Sequence, residues 1–404
     1  MTEDTFRLVL IGAGGIARRH IEAMEDLRNR GLDDFTLTAV CDIDEEAARE
    51  RGTQAEEVFG QRPVIYTDYQ QLLDQEEAHG ADLCLPHGLH HEVSIDCMEA
   101  GLHVLCEKPL GVTIKASRLM AKKADETGLV LSTAVPYRRL PGHRKAAWVL
   151  NESGLVGRPL SFFHYYARPR QRRPDDEPVP QSVVWRQDRL MSGGGMVMDS
   201  GFHYCDGMRH LLGEVDTVFA ETRQMASGRP LPLEEAREDT VFVTFTFENG
   251  AVGSWTWSLA APGNPVQELI FYGSEGSLRD TTDNAYTNFH LFFETGEVVQ
   301  ADGTRHILAD LEADYRASLT DREWERYYPH GVDDGFAYEI WEFIEAARGN
   351  REGVEVNGWE GLRSLAVCEA IYESALTGEP IAVEDVVSGE RDRYQQSIDA
   401  HWGL

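Results

Sequence analysis

Along the first third of the chain, apolar residues gather in short runs separated by longer amphipathic stretches. The runs at 7–11, 37–41, 64–66, 82–85, 103–107 and 129–133 are rich in Leu, Val and Ile, and near-continuous apolar runs of this length mark strands covered on both faces. Between them, 16–30, 91–100 and 113–127 repeat apolar positions at helical spacing. The last two stop before Gly101 and Gly128, residues suited to the left-handed turn that ends a helix. Strand and helix in alternation predict a doubly wound parallel sheet.

Beyond residue 133 the rhythm changes. Residues 141–151 read as a helix, 159–168 as a strand, 169–184 as an irregular Pro- and Arg-rich loop, and 195–212 as a helix opened by glycines. Segments 218–224, 240–248, 251–260, 266–272 and 276–279 then alternate, with Glu248-Asn249-Gly250 as a hairpin-like turn. Helical patterns at 336–347 and 359–375 follow. The expected fold class is α/β: a Rossmann domain over residues 1–134, then an α+β domain over 135–404 with a largely antiparallel open sheet. A length of 404 residues agrees, being too great for one ordinary core.

Composition narrows the partners. With 38 basic against 69 acidic residues the formal charge is -31, which repels phosphate backbones and anionic lipid and argues against nucleic acid or membrane. The N-terminus enters an apolar strand without signal-peptide features, so a cytoplasmic protein is expected. Six scattered cysteines, three in or at the end of strand-like runs, fit buried reduced thiols.

The first strand runs directly into Gly12-Ala13-Gly14-Gly15-Ile16-Ala17 and a helix. In this G-x-G-x-x-A pattern Gly12 permits the tight turn, Gly14 lets backbone approach a pyrophosphate, and small Ala17 lets helix pack on strand. Gly15 and Ile16 belong to the same cradle, where free N–H groups and the helix dipole hold the anion. The second strand ends in Asp42, in the place of the acid that bonds the adenosine ribose hydroxyls. Asp42 could instead cap a helix starting near Glu45. A carboxylate there repels a 2'-phosphate and Ile43 follows it, so NAD is expected over NADP.

With that fingerprint placed and carried on through Arg18-Arg19-His20, other segments join it: Ala39-Val-Cys-Asp42, Glu107-Lys-Pro109, Gly193-Gly-Gly-Met-Val-Met-Asp199-Ser-Gly-Phe-His203 and Tyr272-Gly-Ser-Glu-Gly276. As a set, over essentially the whole length, they resemble the glucose-fructose oxidoreductase, inositol dehydrogenase and rhizopine-catabolism family (Gfo/Idh/MocA). The resemblance implies a pyridine nucleotide between the two domains, with Pro86, Glu107 and Lys108 along it. It also implies an open sheet that makes oligomer contacts, with a homodimer or homotetramer expected. Leu85-Pro86 stands where the family has Thr-Pro, which removes one common hydroxyl contact to the cofactor.

Asp199 and His203 are four apart, so on a helix they share one face, with Asp206 a turn later. Gly195 is expected to leave that face open for a ligand. Oxidising a secondary alcohol needs a base for the hydroxyl proton, and histidine suits that at neutral pH. Lys108 ends the fifth strand, at the carboxyl edge where such folds bind ligands, and its ammonium can stabilise alkoxide character. The resemblance assigns Lys108, Asp199 and His203 these places. Asp199 could bond a neighbouring hydroxyl, tune His203 or share the proton. The Lys108-Pro109 bond is a candidate for the cis form.

The expected activity is therefore hydride transfer between nicotinamide and a hydroxyl-bearing carbon of a sugar, sugar derivative or cyclitol. Two alternatives stand beside it: transient oxidation that eliminates a glycosidic bond, and a nucleotide-sensing regulator without catalysis. Tyr137, Arg138, Trp185 and Arg186 are candidates to line a sugar pocket. His87, His90 and His91 crowd one loop, but no Cys or carboxylate completes a ligand set, so no metal is expected. His90 is expected beside the nicotinamide half of the cofactor. Arg168, Arg170, Arg172 and Arg173 form a basic patch in an acidic chain, read first as a subunit contact, with a clamp on an acidic substrate group or a solvated loop as the alternatives.

Overall fold

The computed structural model describes residues 5–169, 181–225, 233, 237–282 and 293–404. Six parallel strands form the first sheet: β1 (Phe6–Ile11), β2 (Phe35–Cys41), β3 (Val64–Tyr66), β4 (Gly80–Leu83), β5 (His103–Glu107) and β6 (Leu131–Ala134), in the order β3-β2-β1-β4-β5-β6. The chain reverses its direction of winding between β1 and β4. That split opens a crevice at the carboxyl ends of the strands, where doubly wound sheets bind nucleotides. Val9, Leu10, Ala39, Val40, Val104 and Leu105 are buried, because helices cover both faces.

The second sheet has nine strands: β7 (Pro159–Ala167), β8 (Val215–Arg223), β9 (Thr240–Phe247), β10 (Val252–Ser258), β11 (Val266–Gly273), β12 (Gly276–Asp280), β13 (Gly296–Gln300), β14 (Arg305–Ile307) and β15 (Ile381–Ala382). Their order is β14-β13-β12-β11-β7-β10-β9-β8-β15, antiparallel throughout except where β7 lies beside β10. One face packs on helices Pro141–Asn151, Ser200–Leu212 and Gly358–Thr377, burying Phe162, Phe245, Trp255, Trp257 and Phe271. The opposite face carries Phe163, Tyr165, Phe219, Phe242, Val266 and Tyr272, all exposed. A sheet with one free face ordinarily alternates apolar with polar residues, and this one departs from that on its outer side.

The glycine-opened helix begins five residues later than its periodicity suggests, at Ser200, with Asp199 at its N-cap. All six cysteines are buried and free. Among the described residues no helix is long and apolar enough to cross a membrane.

The far end of the chain completes the first core. Helix Gly335–Ala347 lies on helix Gly15–Asn29 and puts Ala337, Ile340, Phe343 and Ile344 into the same cluster as Leu8, Leu10, Ile21 and Met24. Helix Gly358–Thr377 packs on helix Ile114–Thr127. At this junction Arg139 is fully buried, donating to Glu342 Oε2 at 2.7 Å, Glu339 Oε2 at 3.3 Å and the Val135 carbonyl at 2.7 Å. Arg144 meets Glu355 at 2.7 Å, and Arg351 pairs with Glu342. Burial would raise the Glu355 carboxyl, but Arg144 and Arg139 hold it well below its ordinary range. Removing one partner of such a pair strands a buried charge. Arg139→Met is expected to lower unfolding stability by about 3–5 kcal/mol, measured as a shift in the urea unfolding midpoint.

Candidate active site

Gly12 turns the chain out of β1 with φ +96°, and a Cβ there would lie within the radius of the Cys84 carbonyl oxygen. Glycine is therefore required by the strand-to-helix turn itself. Gly14 and Gly15 differ: nothing stands within 4 Å of where their Cβ atoms would be. No side chain caps helix Gly15–Asn29 at Gly14, and no acid sits in its first turn. Its leading amides are thus left for an anion. Ile16 is half-buried beside the turn, and Ala17 is fully buried against the sheet.

Asp42 leaves the end of β2 half-buried and accepts the Ala13 N–H at 2.6 Å and the Asp44 N–H at 2.9 Å. Asp44, not Asp42, caps helix Glu45–Phe59, accepting from Glu46 and Ala47. The capping role is therefore taken by another residue, and Asp42 braces the glycine turn from the adjacent strand. Ile43 beside it is 94% exposed. These features fit a dinucleotide: an open amide cradle, and a carboxylate at the end of the neighbouring strand.

Across the crevice, Lys108 reaches from the end of β5 to the second unit. Its Nζ lies 2.8 Å from Asp199 Oδ1 and 3.0 Å from the Asp199 carbonyl oxygen. Arg186 Nε holds the other carboxylate oxygen at 3.1 Å. Burial works to raise the Asp199 carboxyl, yet Lys108 and Arg186 hold it well below the usual carboxylate range. The Lys108-Pro109 bond is cis. Arg186 also stacks over the Trp185 ring at 4.4 Å, and Trp185 meets the His87 ring edge-on at 4.7 Å. His87 donates from Nδ1 to the Ser192 carbonyl at 2.8 Å, and burial pushes its pKa well below 6.5. A neutral His87 so oriented keeps its lone pair on Nε2.

His203, one turn into helix Ser200–Leu212, packs its ring edge-on against Tyr137 with centroids 4.4 Å apart. Burial, with Glu107, Glu339 and Asp199 nearby, pushes the Tyr137 hydroxyl up. The Tyr137–His203 pair is thereby a neighbour of the Lys108–Asp199 pair, and six of the singled-out residues share one locality: Lys108, Tyr137, Trp185, Arg186, Asp199 and His203.

Other candidates face elsewhere. Arg138 is buried, its guanidinium occupied by Asp206 with Nε to Oδ2 at 2.7 Å. Asp206 also accepts from Ser364 Oγ at 2.8 Å, so this pair is an interior bridge and neither member lines the crevice. His90 has no exposed surface, and its ring nitrogens face the carbonyls of Pro109 and Leu85 at 2.8 and 2.9 Å. It ties the loop after β4, with half-buried Pro86, to the turn after β5. Glu107 points inward, accepting the Lys108 N–H at 3.0 Å and meeting His20 at 3.2 Å. Among the described residues, His20, Asp82 and Cys84 are the grouping with ligand-type atoms within 4.8 Å of one another; the three loop histidines are not. Arg168 donates its backbone N–H to the Ser258 carbonyl, while Arg170, Arg172 and Arg173 lie outside the described residues.

The glycine run has a different purpose from the one expected. A Cβ on Gly194 would collide with the Tyr372 hydroxyl and one on Gly195 with the Glu238 carboxylate, so Gly195 makes room for protein and not for a ligand. Glu238, buried with its carboxyl pushed up by burial, accepts from the N–H groups of Gly195 (3.1 Å) and Val197 (2.8 Å) and from the Tyr372 hydroxyl (2.8 Å). Tyr372 in turn accepts from Gly195 at 3.1 Å and Met198 at 3.2 Å. This clamp holds the loop that delivers Asp199. Neither residue carries a sequence signal, because each acts from an element remote in the chain.

A six-stranded nucleotide-type sheet whose carboxyl edge carries a Lys–Asp pair reaching to the second sheet has the architecture of a dinucleotide-dependent oxidoreductase. Residues 6–135 match the family model described as "Oxidoreductase family, NAD-binding Rossmann fold", and residues 156–383 its "C-terminal alpha/beta domain". The chain belongs to the Gfo/Idh/MocA oxidoreductase family. It is 32% identical over 324 residues to D-xylose 1-dehydrogenase (NADP(+)) 2 of Haloferax volcanii, covering 80% of this chain and 86% of that one. With levoglucosan dehydrogenase of Pseudarthrobacter phenanthrenivorans it shares 31% identity over 230 residues, covering 52% of this chain and 57% of that protein. The crystal structure of the WlbA dehydrogenase from Bordetella pertussis, in complex with NADH and UDP-GlcNAcA, superposes with a TM-score of 0.69 at 26% identity, covering 95% of this chain and 99% of that one.

The clamp on the glycine loop is directly testable. Gly195→Ala forces a methyl group against Glu238 and is expected to destabilise the protein by about 1–3 kcal/mol, as overpacking does. Glu238→Gln keeps the shape but turns an NH2 donor toward one of the groups that donate to Glu238, so its cost should be comparable, about 1–3 kcal/mol. Thermal unfolding of both variants against wild type measures these losses.

Proposed function

We propose that this protein is an NAD-dependent dehydrogenase or reductase acting on a secondary hydroxyl of a sugar, sugar derivative or cyclitol. The observation that carries the reading is the Lys108 Nζ to Asp199 Oδ1 contact at 2.8 Å across the crevice, with His203 on the next helical turn. The open amides of Gly14 and Gly15 and the Asp42 carboxylate would hold NAD, which would supply the hydride acceptor when bound.

Within this reading Lys108 donates a hydrogen bond to the reacting oxygen and stabilises its negative charge as the proton leaves. His203 accepts that proton. Asp199, held ionised by Lys108 and Arg186, orients the ammonium and does not take the proton. Trp185 and Tyr137 offer faces to the C–H groups of a ring, while Arg186 and His87 Nε2 offer a donor and an acceptor to its hydroxyls. The exposed Phe163, Tyr165, Phe219, Phe242, Val266 and Tyr272 on the outer sheet support a homo-oligomer, a dimer or tetramer, joined across that face.

A panel of sugars, sugar acids and inositols with NAD and with NADP, read by cofactor absorbance, tests the activity: no change with any member would sink it. On the substrate so found, His203→Ala is expected to lower turnover about 100-fold while leaving NAD affinity nearly unchanged. The pH profile separates the two acids. A depressed carboxyl stays ionised at every pH above its ordinary value of about 3.9, so Asp199 contributes no ionisation between pH 5 and 8. Asp199→Asn should therefore lower kcat yet leave the midpoint of the acid limb in place, and a limb that moves with this substitution assigns the proton to Asp199.

Asp42 governs the cofactor. Asp42→Ala removes a charged acceptor and is expected to weaken NAD binding about tenfold or more while narrowing the preference over NADP, both read by nicotinamide fluorescence titration.

A further inference from the structure

Below Lys108 lies a charge that the reading above does not use. His20, on the inner face of helix Gly15–Asn29, has no exposed surface. Its Nδ1 is 2.9 and 3.0 Å from the two carboxylate oxygens of Asp82, and its Nε2 is 3.2 Å from Glu107 Oε1. Ionised carboxylates only accept hydrogen bonds, whereas a neutral imidazole carries a single N–H. Contact with a carboxylate on each side is satisfied when both ring nitrogens are protonated. Two buried carboxylates without a cation between them repel at high cost.

The surroundings agree. The groups facing the ring are Asp82 and Cys84 at the end of β4, Glu107 at the end of β5, and Phe336 and Glu339 from helix Gly335–Ala347. Glu339, bridged to Arg139, is itself pushed up strongly by burial. Burial works against charge on His20, but Asp82 and then Cys84 raise its pKa well above 6.5.

The second oxygen of Glu107 accepts from the Lys108 backbone N–H at 3.0 Å, and the Lys108 ammonium continues to Asp199. The polar contacts are therefore continuous from Asp82 through His20 and Glu107 to the residue that crosses the crevice.

We infer that His20 is a positioning residue for Lys108: its imidazolium, clamped between Asp82 and Glu107, fixes the carboxylate that holds the Lys108 backbone, and so keeps the ammonium on Asp199. The inference rests on the role proposed above for Lys108, and the experiment separates the two. His20→Gln removes the charge while keeping a side chain that hydrogen-bonds, Glu107→Gln removes the charge that His20 holds, and Lys108→Met tests the lysine itself.

With the best substrate of the panel, Lys108→Met should abolish turnover. His20→Gln and Glu107→Gln should lower kcat about 10- to 100-fold, the scale of a small misplacement of a reacting group, with KM and NAD affinity within about threefold of wild type. Melting temperatures add a readout that a merely space-filling histidine does not move. A group whose folded pKa is raised stabilises fully below its unfolded value, about 6.5, and loses that contribution as pH rises through the folded value. The wild-type advantage over His20→Gln should therefore be greatest at and below pH 6.5 and shrink in alkali.

If His20→Gln does not fold, 15N resonances of histidine-labelled wild type decide, with both ring nitrogens of His20 protonated at pH 7.5. Turnover unchanged in His20→Gln while Lys108→Met is dead overturns the positioning role and leaves the lysine reading intact. Full activity in Lys108→Met overturns the lysine reading instead. A neutral His20 ring at pH 7.5, bare or metal-bound, overturns the inference independently of any substrate.

Discussion

The ion pair between Lys108 and Asp199 is the constraint around which the molecule is arranged. Its two halves come from different sheets: the lysine ends β5 of the parallel sheet, and the aspartate precedes a helix packed on the nine-stranded one. A pair this close, partly withdrawn from water, demands that both approach angles be set elsewhere. On the lysine side that support is the buried Glu107. On the aspartate side it is the Glu238–Tyr372 clamp, together with Arg186 on the second carboxylate oxygen. Asp199 stands at a helix N-cap yet caps nothing; its carboxylate is committed to the two cations.

The same logic explains the division of labour among the glycines. Gly12 serves the backbone, since its positive φ and the Cys84 carbonyl leave no space for a side chain, while Gly14 and Gly15 face open space, where we propose that the dinucleotide docks. Gly194 and Gly195 serve other protein groups. Three glycine pairs or singlets of similar appearance thus answer to three different demands, and the distinction lies in what occupies the volume beside each.

Much of the architecture could be read from residue order because it depends on local periodicity. The strands at 64–66 and 103–107 and the helix at 141–151 fall where their patterns place them. β13 has no alternation in its residues, β14 and β15 are too short to show it, and the helix at Ser200 starts late, after a turn whose amides at Gly195, Val197 and Met198 are held by Glu238 and Tyr372, far away in the chain. At the site, residues marked by type and position assemble around Lys108 and Asp199, whereas Arg138 does not join them. Its burial against Asp206 depends on helix packing that no local pattern reports. His20 closes the fingerprint segment in the sequence, but its pairing with Asp82 escapes a reading of residue order for a related reason: a histidine inside an amphipathic helix looks like any other polar interruption until the strand beneath it is known.

Helix Gly335–Ala347 seals the parallel sheet with side chains that lie two hundred residues downstream of its last strand. During synthesis the nucleotide-binding half therefore emerges from the ribosome with one apolar surface uncovered, and it stays so until most of the chain has been translated. The intervening polypeptide must fold, or be shielded by chaperones, while that surface waits for its lid.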